Sequence, residues 1–489
     1  MIRKFTYFII LCLLLLAGLM LWNMKSFKSK QINVPIATSS NINSKDAISH
    51  LSEAIKYKTI SNYDNDQIDA ITFLSFHKFL RRTYPLAFKE LSERIFSNYS
   101  ILLKWEGSTE SSKNPILLMA HMDVVPALEI ENWKEDPFSG LVENDFIWGR
   151  GALDNKSSLI AILESIEYLL STDFKPNRDI YISIGHDEEN SGLNGNAVIA
   201  ETLKKEGIYF DMVLDEGSII TNNIFKGLQR PVAMIGIAEK GYLTIELTSS
   251  SNSGHSSMPS NSTAIGKLSK AINNLEKFQM EPKITPALEH FFSYIGPELD
   301  RKNQFIISNM TLLSSSIINE LVKDPVTASM VRTTIAPTMI NSGIKPNVLP
   351  SEAKAVINFR ILQGDNIKKI KEHINKVVND KDIEVKILAS ESYSNPSRLS
   401  NVNSPSFNII HKTIKELYND IFVSPGLVVA TTDSRYYQSI SKDIYRFVPL
   451  ILNSDELSMI HGYNEKISTS TYLNMIQFYI QLIKNFHVS

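Results

Sequence analysis

A single cysteine, Cys12, occurs in 489 residues, and it lies in an apolar leader. The folded part therefore has no disulfide and no thiolate to act as nucleophile or ligand. Any metal must be held by His, Asp and Glu. An excess of charge of one sign is also missing: 50 Lys and Arg stand against 52 Asp and Glu, a net charge of −2. No basic stripe with interleaved aromatics is visible, so bulk electrostatics offers nothing to a nucleic acid. Internal repeats and long low-complexity runs are absent too. What remains is the composition of a folded soluble protein, 43% hydrophobic and 21% charged. The length suits two or three domains.

Residues 5–22 form an uncharged apolar block, and about 18 such residues can just span a bilayer as a helix. Arg3 and Lys4 precede it, and Lys25, Lys28 and Lys30 follow, so flanking charge does not set an orientation. A cleaved signal peptide is the rival reading. The block is long for a signal core, however, and no small-x-small site follows Trp22. The expectation is an uncleaved anchor at 5–22 and a polar tether, rich in Ser, Asn and Lys, at 23–45.

The globular part is organised around Pro115-Ile-Leu-Leu-Met-Ala-His121-Met-Asp123. Its apolar run reads as a buried strand of a parallel sheet. His121 and Asp123 follow as the strand ends, on one side of extended chain. In open α/β sheets that edge is where ligands bind. A neutral imidazole is a good zinc ligand, and a nearby carboxylate can hold its other N–H. Alone, such a pair reads as a solvated turn, but the pattern recurs. A strand at 179–185 ends in His186-Asp187-Glu188-Glu189, and a strand at 210–214 ends in Asp215-Glu216-Gly217. Three strand ends place several carboxylates on one rim, where they repel unless cations neutralise them. Between the first two lies Gly149-Arg150-Gly151-Ala152-Leu153-Asp154, which leads into an apolar helix over 158–170.

Residues 242–392 change character. Strands are expected at 242–249, 333–339, 353–362 and 383–388, and helices at 262–278 and 365–378. This β-α-β-β-α-β order suggests a ferredoxin-like layer, with a mostly helical insertion at 280–330. Residues 393–489 return to mixed α/β and, with 46–241, make up the other domain. Near the end stands Met459-Ile-His461-Gly462-Tyr-Asn464-Glu465.

Five blocks thus occur in order: His121-x-Asp123, Gly149-Arg-Gly-Ala-x-Asp154-x-Lys156, Asp187-Glu-Glu189-x-x-Gly192, Asp215-Glu-Gly217 and His461-Gly-x-Asn464-Glu465. Over roughly residues 48–485 the chain resembles the acetylornithine deacetylase, aminoacylase and carboxypeptidase G family of two-zinc metallopeptidases. Thr432-Asp-Ser-Arg435-Tyr436, Lys240-Gly241 and the inserted helices look most like the carboxypeptidase S branch, which includes secreted N-acyl-amino-acid hydrolases. The resemblance implies an α/β catalytic domain with a mixed, mainly parallel sheet flanked by helices. It also implies that 242–392 is an inserted ferredoxin-like lid.

By the same resemblance, Asp154 bridges two Zn²⁺ per chain. His121 and Asp215 complete one site, with Glu216 the alternative to Asp215; Glu189 and His461 complete the other. Cobalt or manganese would also suit such donors. Asp123 orients His121, and Glu188 is the general base that activates water against the scissile amide. A cis peptide bond is expected after Asp154. His255 resembles the lid histidine that stabilises the oxyanion, supplied in many relatives by the partner of a homodimer built through the lid. Arg435 could clamp a substrate carboxylate or form an ion pair with Asp433; Asn347 could donate near it or be a turn residue. The substrate is a short peptide, cut as by a carboxypeptidase, or an N-acyl amino acid. The remaining histidines, His186 included, are read as surface, core or supporting groups. With the leader as anchor, the catalytic domain is expected in a periplasmic, extracellular or lumenal compartment.

Overall fold

The run Ile116 to Met119 is the heart of strand Ile116–His121, every residue of which is buried. It pairs in parallel with Ile180–Gly185 on one side and Met212–Asp215 on the other. All three strands therefore end on one rim. They sit near the middle of a ten-stranded mixed sheet, seen here in a computed structural model that describes residues 2–61, 68–108, 113–222, 227–388 and 393–488. Ser92–Phe96 and Ser100–Trp105 add antiparallel strands at one side. Ile444–Arg446 extends the sheet beyond Met212–Asp215, and Val232–Glu239 follows, paired in parallel with Phe422–Val428. The apolar helix Lys156–Ser171 covers the central strand and packs on the C-terminal helix Thr469–Val488.

A second, four-stranded antiparallel sheet has the order Thr334–Ser342, Glu352–Ile361, Gly241–Ser250, Ile383–Ile387. Along Glu352–Ile361 burial alternates, so one face carries Ala353, Ala355, Ile357, Phe359 and Ile361 into the sheet's own core. Helices Ala264–Lys277 and Ile367–Val378 cover that face. Chain order and strand order together are those of a ferredoxin-like layer. The boundary expected at residue 392 falls outside the described residues.

The inserted helices are Pro286–Ile295, Arg301–Ser308, Met310–Leu321 and Pro325–Val331. They interrupt the second sheet in sequence but do not join its core. Leu288, Phe291, Phe292, Ile295, Met330 and Val331 pack with Val232 and Phe422, which belong to the large sheet. The chain thus crosses between the two bodies four times, and the crossings are tied in pairs. Tyr242 and Ser394 exchange backbone hydrogen bonds at 3.0 and 2.9 Å, and Lys283 N–H donates to Val331 at 2.7 Å. Buried Lys240, at the first crossing, donates to the carbonyls of Ser329 and Arg332 beside the other pair, at 2.9 and 2.8 Å.

The N-terminal helix Ile2–Ser26 has 25 residues, none buried, and is apolar enough to cross a membrane, a test that a signal sequence also passes. The segment after it is not a free tether. Gln31 pairs its side-chain amide with both backbone groups of Val423 at 2.9 Å. Ala37 N–H donates to Glu416 at 2.9 Å, and Ser40 exchanges two bonds with Gln477 at 2.8 Å. A Ser- and Asn-rich composition reads as solvated chain, yet its amides serve equally well as partners for exposed backbone. At about 1 kcal/mol per hydrogen bond, deleting residues 1–43 should destabilise the protein by roughly 2–4 kcal/mol relative to deleting residues 1–27. The measurement is the urea midpoint of the two truncations; equal midpoints would show that the segment is not held.

Candidate active site

The rim gathers side chains from five segments. His121 closes its strand, Glu188 and Glu189 lie in a single turn after Ile180–Gly185, and Glu216 follows Met212–Asp215. Asp154 stands just before helix Lys156–Ser171, and the Asp154–Asn155 peptide is cis. His461 reaches in from the loop before the C-terminal helix, at φ 59°, a left-handed backbone that a His adopts at a cost. Gly192, at φ 63°, closes the Glu188 turn where a side chain would run into the Asp433 carboxylate.

Two donor sets share one residue. His121, Asp154 and Glu216 form the first, and Asp154, Glu189 and His461 the second. His121 Nε2 lies 3.1 Å from Asp154 Oδ1 and 3.3 Å from Glu216 Oε1. His461 Nε2 lies 3.1 Å from Asp154 Oδ2 and 3.1 Å from Glu189 Oε2. Each oxygen of Asp154 therefore faces a different set. His461 has half its side chain exposed, against 2% for His121, so the site opens to solvent on its side.

The electrostatics show what is wanting. Burial, opposed by His121 and reinforced by Glu216, holds the Glu188 carboxyl well above the usual range. Burial and the charge of Asp154 push Glu216 up to about 8, and the same two causes raise Glu189. In compensation Asp154 and Glu189 push His461 up to about 10. Protonated imidazoles thus supply the positive charge that the carboxylates require. Divalent cations at the two sets would supply it with neutral imidazoles, as ligation needs. Glu189 Oε1 is buried with no hydrogen-bond partner among the described residues, a vacant acceptor on a carboxylate of the cluster. The hard oxygen and imidazole donors fit such metals.

One expectation needs correction. Asp215 does not face the cluster: its Oδ2 accepts the Ser434 N–H at 2.8 Å, and Glu216 enters the site instead, bonded also by Asn155 Nδ2. The strand's alternation carries through Asp215 and sends its side chain across the sheet; only the next residue is free to turn back. Asp123 touches His121 and has a further task. The nearest partner of His121 Nδ1 is the Asp123 carbonyl, at 2.9 Å, with the carboxylate at 3.4 Å. The carboxylate accepts the N–H groups of Glu188 and Glu189 at 3.2 and 3.1 Å. It braces the turn that presents them.

Arg150 and Glu465 stood in the sequence blocks without a role, and together they join the two halves of the site. Buried Glu465 accepts the N–H groups of Gly151, Leu153 and Asp154 on Oε1, at 2.7 to 3.2 Å. Its Oε2 accepts Arg150 at 2.7 Å, and Arg150 Nη2 donates to the carbonyls of His461 and Gly462 at 3.3 and 3.1 Å. Arg435 makes no ion pair with Asp433; it donates to Ser191 O at 2.7 Å, Thr432 O at 3.3 Å and Tyr436 OH at 3.1 Å. His255 and Asn347 meet across a short exposed ladder, where Ser256 N–H donates to Asn347 O at 3.2 Å, and neither contacts the donor sets. His186 bonds Ser100 at 2.6 Å, away from the cluster.

Removing one partner of a buried ion pair typically costs about 3–5 kcal/mol. Arg150→Met should show a loss of that order in urea unfolding of chelator-treated protein, because Glu465, already raised by burial, must then either stay buried as an unpaired anion or take up a proton. A loss below about 1 kcal/mol would reduce the pair to the worth of a surface contact.

The match to Peptidase family M20/M25/M40 spans residues 117–485. The chain is 40% identical to the probable carboxypeptidase S-like 2 of Dictyostelium discoideum, covering 99% of this chain and 95% of that protein. It is 36% identical to the N-fatty-acyl-amino acid synthase/hydrolase PM20D1 of Xenopus tropicalis, covering 90% and 86%. A solved structure, the M20 family metallo-carboxypeptidase Sso-CP2 from Sulfolobus solfataricus, aligns with a TM-score of 0.65 at 22% identity, over 91% of this chain and 99% of that one. That likeness is one of fold. With a family match over most of its length, the chain belongs to Peptidase family M20/M25/M40 and is a metallopeptidase-type hydrolase.

Proposed function

We propose that the protein is a two-zinc amidohydrolase that releases a free amino acid from a short peptide, acting as a carboxypeptidase. The observation that carries this is the division of Asp154 between two donor sets, with Glu188 beside them. His121 and Glu216 complete one site, and Glu189 and His461 the other. Metals held by these residues would supply Lewis-acid chemistry, activating a water and polarising the amide carbonyl. Glu188 takes the proton from the attacking water and delivers it to the leaving amine. Its raised proton affinity suits the second half of that task. Asp123 keeps Glu188 and Glu189 in register by holding both their N–H groups.

Arg435, next to the Glu188 turn, suits the carboxylate of the departing amino acid, and must release the Ser191 carbonyl to reach it. The second sheet acts as a lid. His255 and Asn347 lie apart from the donor sets within one chain, which favours a homodimer in which the partner's lid completes the site. The helix Ile2–Ser26 serves as a membrane anchor. A second reading, hydrolysis of N-acyl amino acids with long apolar acyl groups, is favoured by the contact of that helix with the inserted helix Arg301–Ser308.

Glu188→Gln in the full chain should keep about two metal ions by elemental analysis and lose roughly 10²–10⁴-fold in kcat. A panel of dipeptides and N-long-chain-acyl amino acids then distinguishes the substrate readings. A mutant that turns over normally would remove Glu188 from the chemistry. Glu216→Ala should lower the bound metal from two ions to one, whereas Asp215→Asn should retain both. The reverse pattern would restore Asp215 as the ligand.

A further inference from the structure

The foot of the N-terminal helix is held in place. Asn23 Nδ2 donates to Asn309 Oδ1 at 3.0 Å, and Asn309 Nδ2 donates back to the Met20 carbonyl at 3.1 Å. Phe27 packs over Gly296, where a methyl group would collide with its ring. Between this foot and helix Arg301–Ser308 lies a cavity of about 480 Å³. Its lining includes the apolar Leu21, Met24 and Phe27 and the cations Lys25, Lys28 and Arg301. Among the described residues, no carboxylate forms an ion pair with any of these three cations. The neighbouring Asp300 is committed to the N-terminus of its own helix, accepting from Lys302 and Asn303 at 2.9 and 3.1 Å. The C-terminal dipole of helix Ile2–Ser26 disfavours an anion, and Lys25 in its last turn offsets it.

Depth gives the cavity its meaning. The uncharged stretch 5–22, at 1.5 Å per residue, spans roughly 27 Å, close to the ~30 Å hydrocarbon core of a bilayer. Lys25, Lys28 and the docked Arg301 then stand at the level of the lipid phosphates, with Leu21 and Met24 at the acyl boundary. We propose that this cavity binds the phosphate headgroup of an anionic phospholipid and so seats the inserted helices on the membrane surface. The proposal rests on the anchor reading above.

The test uses the full chain, reconstituted in vesicles of phosphatidylcholine with a minority of phosphatidylglycerol. Alkaline carbonate extraction reports the anchor. Lipid retained after transfer to a neutral detergent reports the site. Wild type should keep phosphatidylglycerol in preference to phosphatidylcholine. Lys28→Gln with Arg301→Gln should reduce that preference by roughly 10- to 30-fold, while amide hydrolysis in detergent stays unchanged. Lys302→Gln removes one positive charge from a position outside the cavity and should change the preference little. Release by carbonate would overturn the anchor reading and the site with it. Retention in the bilayer without lipid preference, or an equal effect of Lys302→Gln, would overturn the site alone. Displacement of the lipid by inorganic phosphate would show a free-anion site and overturn the lipid as its occupant.

Discussion

One buried carboxylate holds the site together. Glu465 accepts three successive loop N–H groups and one guanidinium, which fixes the loop carrying Asp154. Through Arg150 it also fixes the carbonyls of the loop carrying His461. The residue shared by both donor sets and the histidine that closes one of them are thus positioned by the same pair. Burial pushes Glu465 up to about 7, and Arg150 and the N–H groups work against that shift. Those partners occupy both oxygens, so the anion is the form that the geometry accommodates.

The second brace is Asp123, which lies at the end of the central strand and holds the backbone of the neighbouring strand's turn. His121, Glu188 and Glu189 are therefore set relative to one another by their hydrogen bonds to Asp123. The surplus of carboxylates has a price in repulsion, visible in the raised proton affinities of Glu188, Glu189 and Glu216. Rigid backbone contacts allow the cluster to persist until cations neutralise it.

Most of this centre was legible before any fold was seen. Apolar runs that end in His121, Glu188–Glu189 and Asp215–Glu216 mark strand ends, and parallel strands must share a rim. The choice between Asp215 and Glu216 was not legible, because it depends on where the strand's alternation stops. The insertion at 280–330 was legible as mostly helical, but not the surface it covers. That surface proved to be the large sheet, through Val232 and Phe422. Gln31 and Ser40 went unread for a related reason: a polar side chain looks the same in sequence whether it meets water or backbone.

The docking of the inserted helices on the large sheet also bears on how the second sheet can move. A body hung from one linker has all its rotations; one pinned at two separate places keeps a single one, about the line between them. The paired crossings at Tyr242 with Ser394 and at Lys283 with Val331 are two such pins, and Lys240 spans the gap from one to the other. The four-stranded layer is accordingly restricted to one degree of freedom, a swing with its axis fixed by the fold.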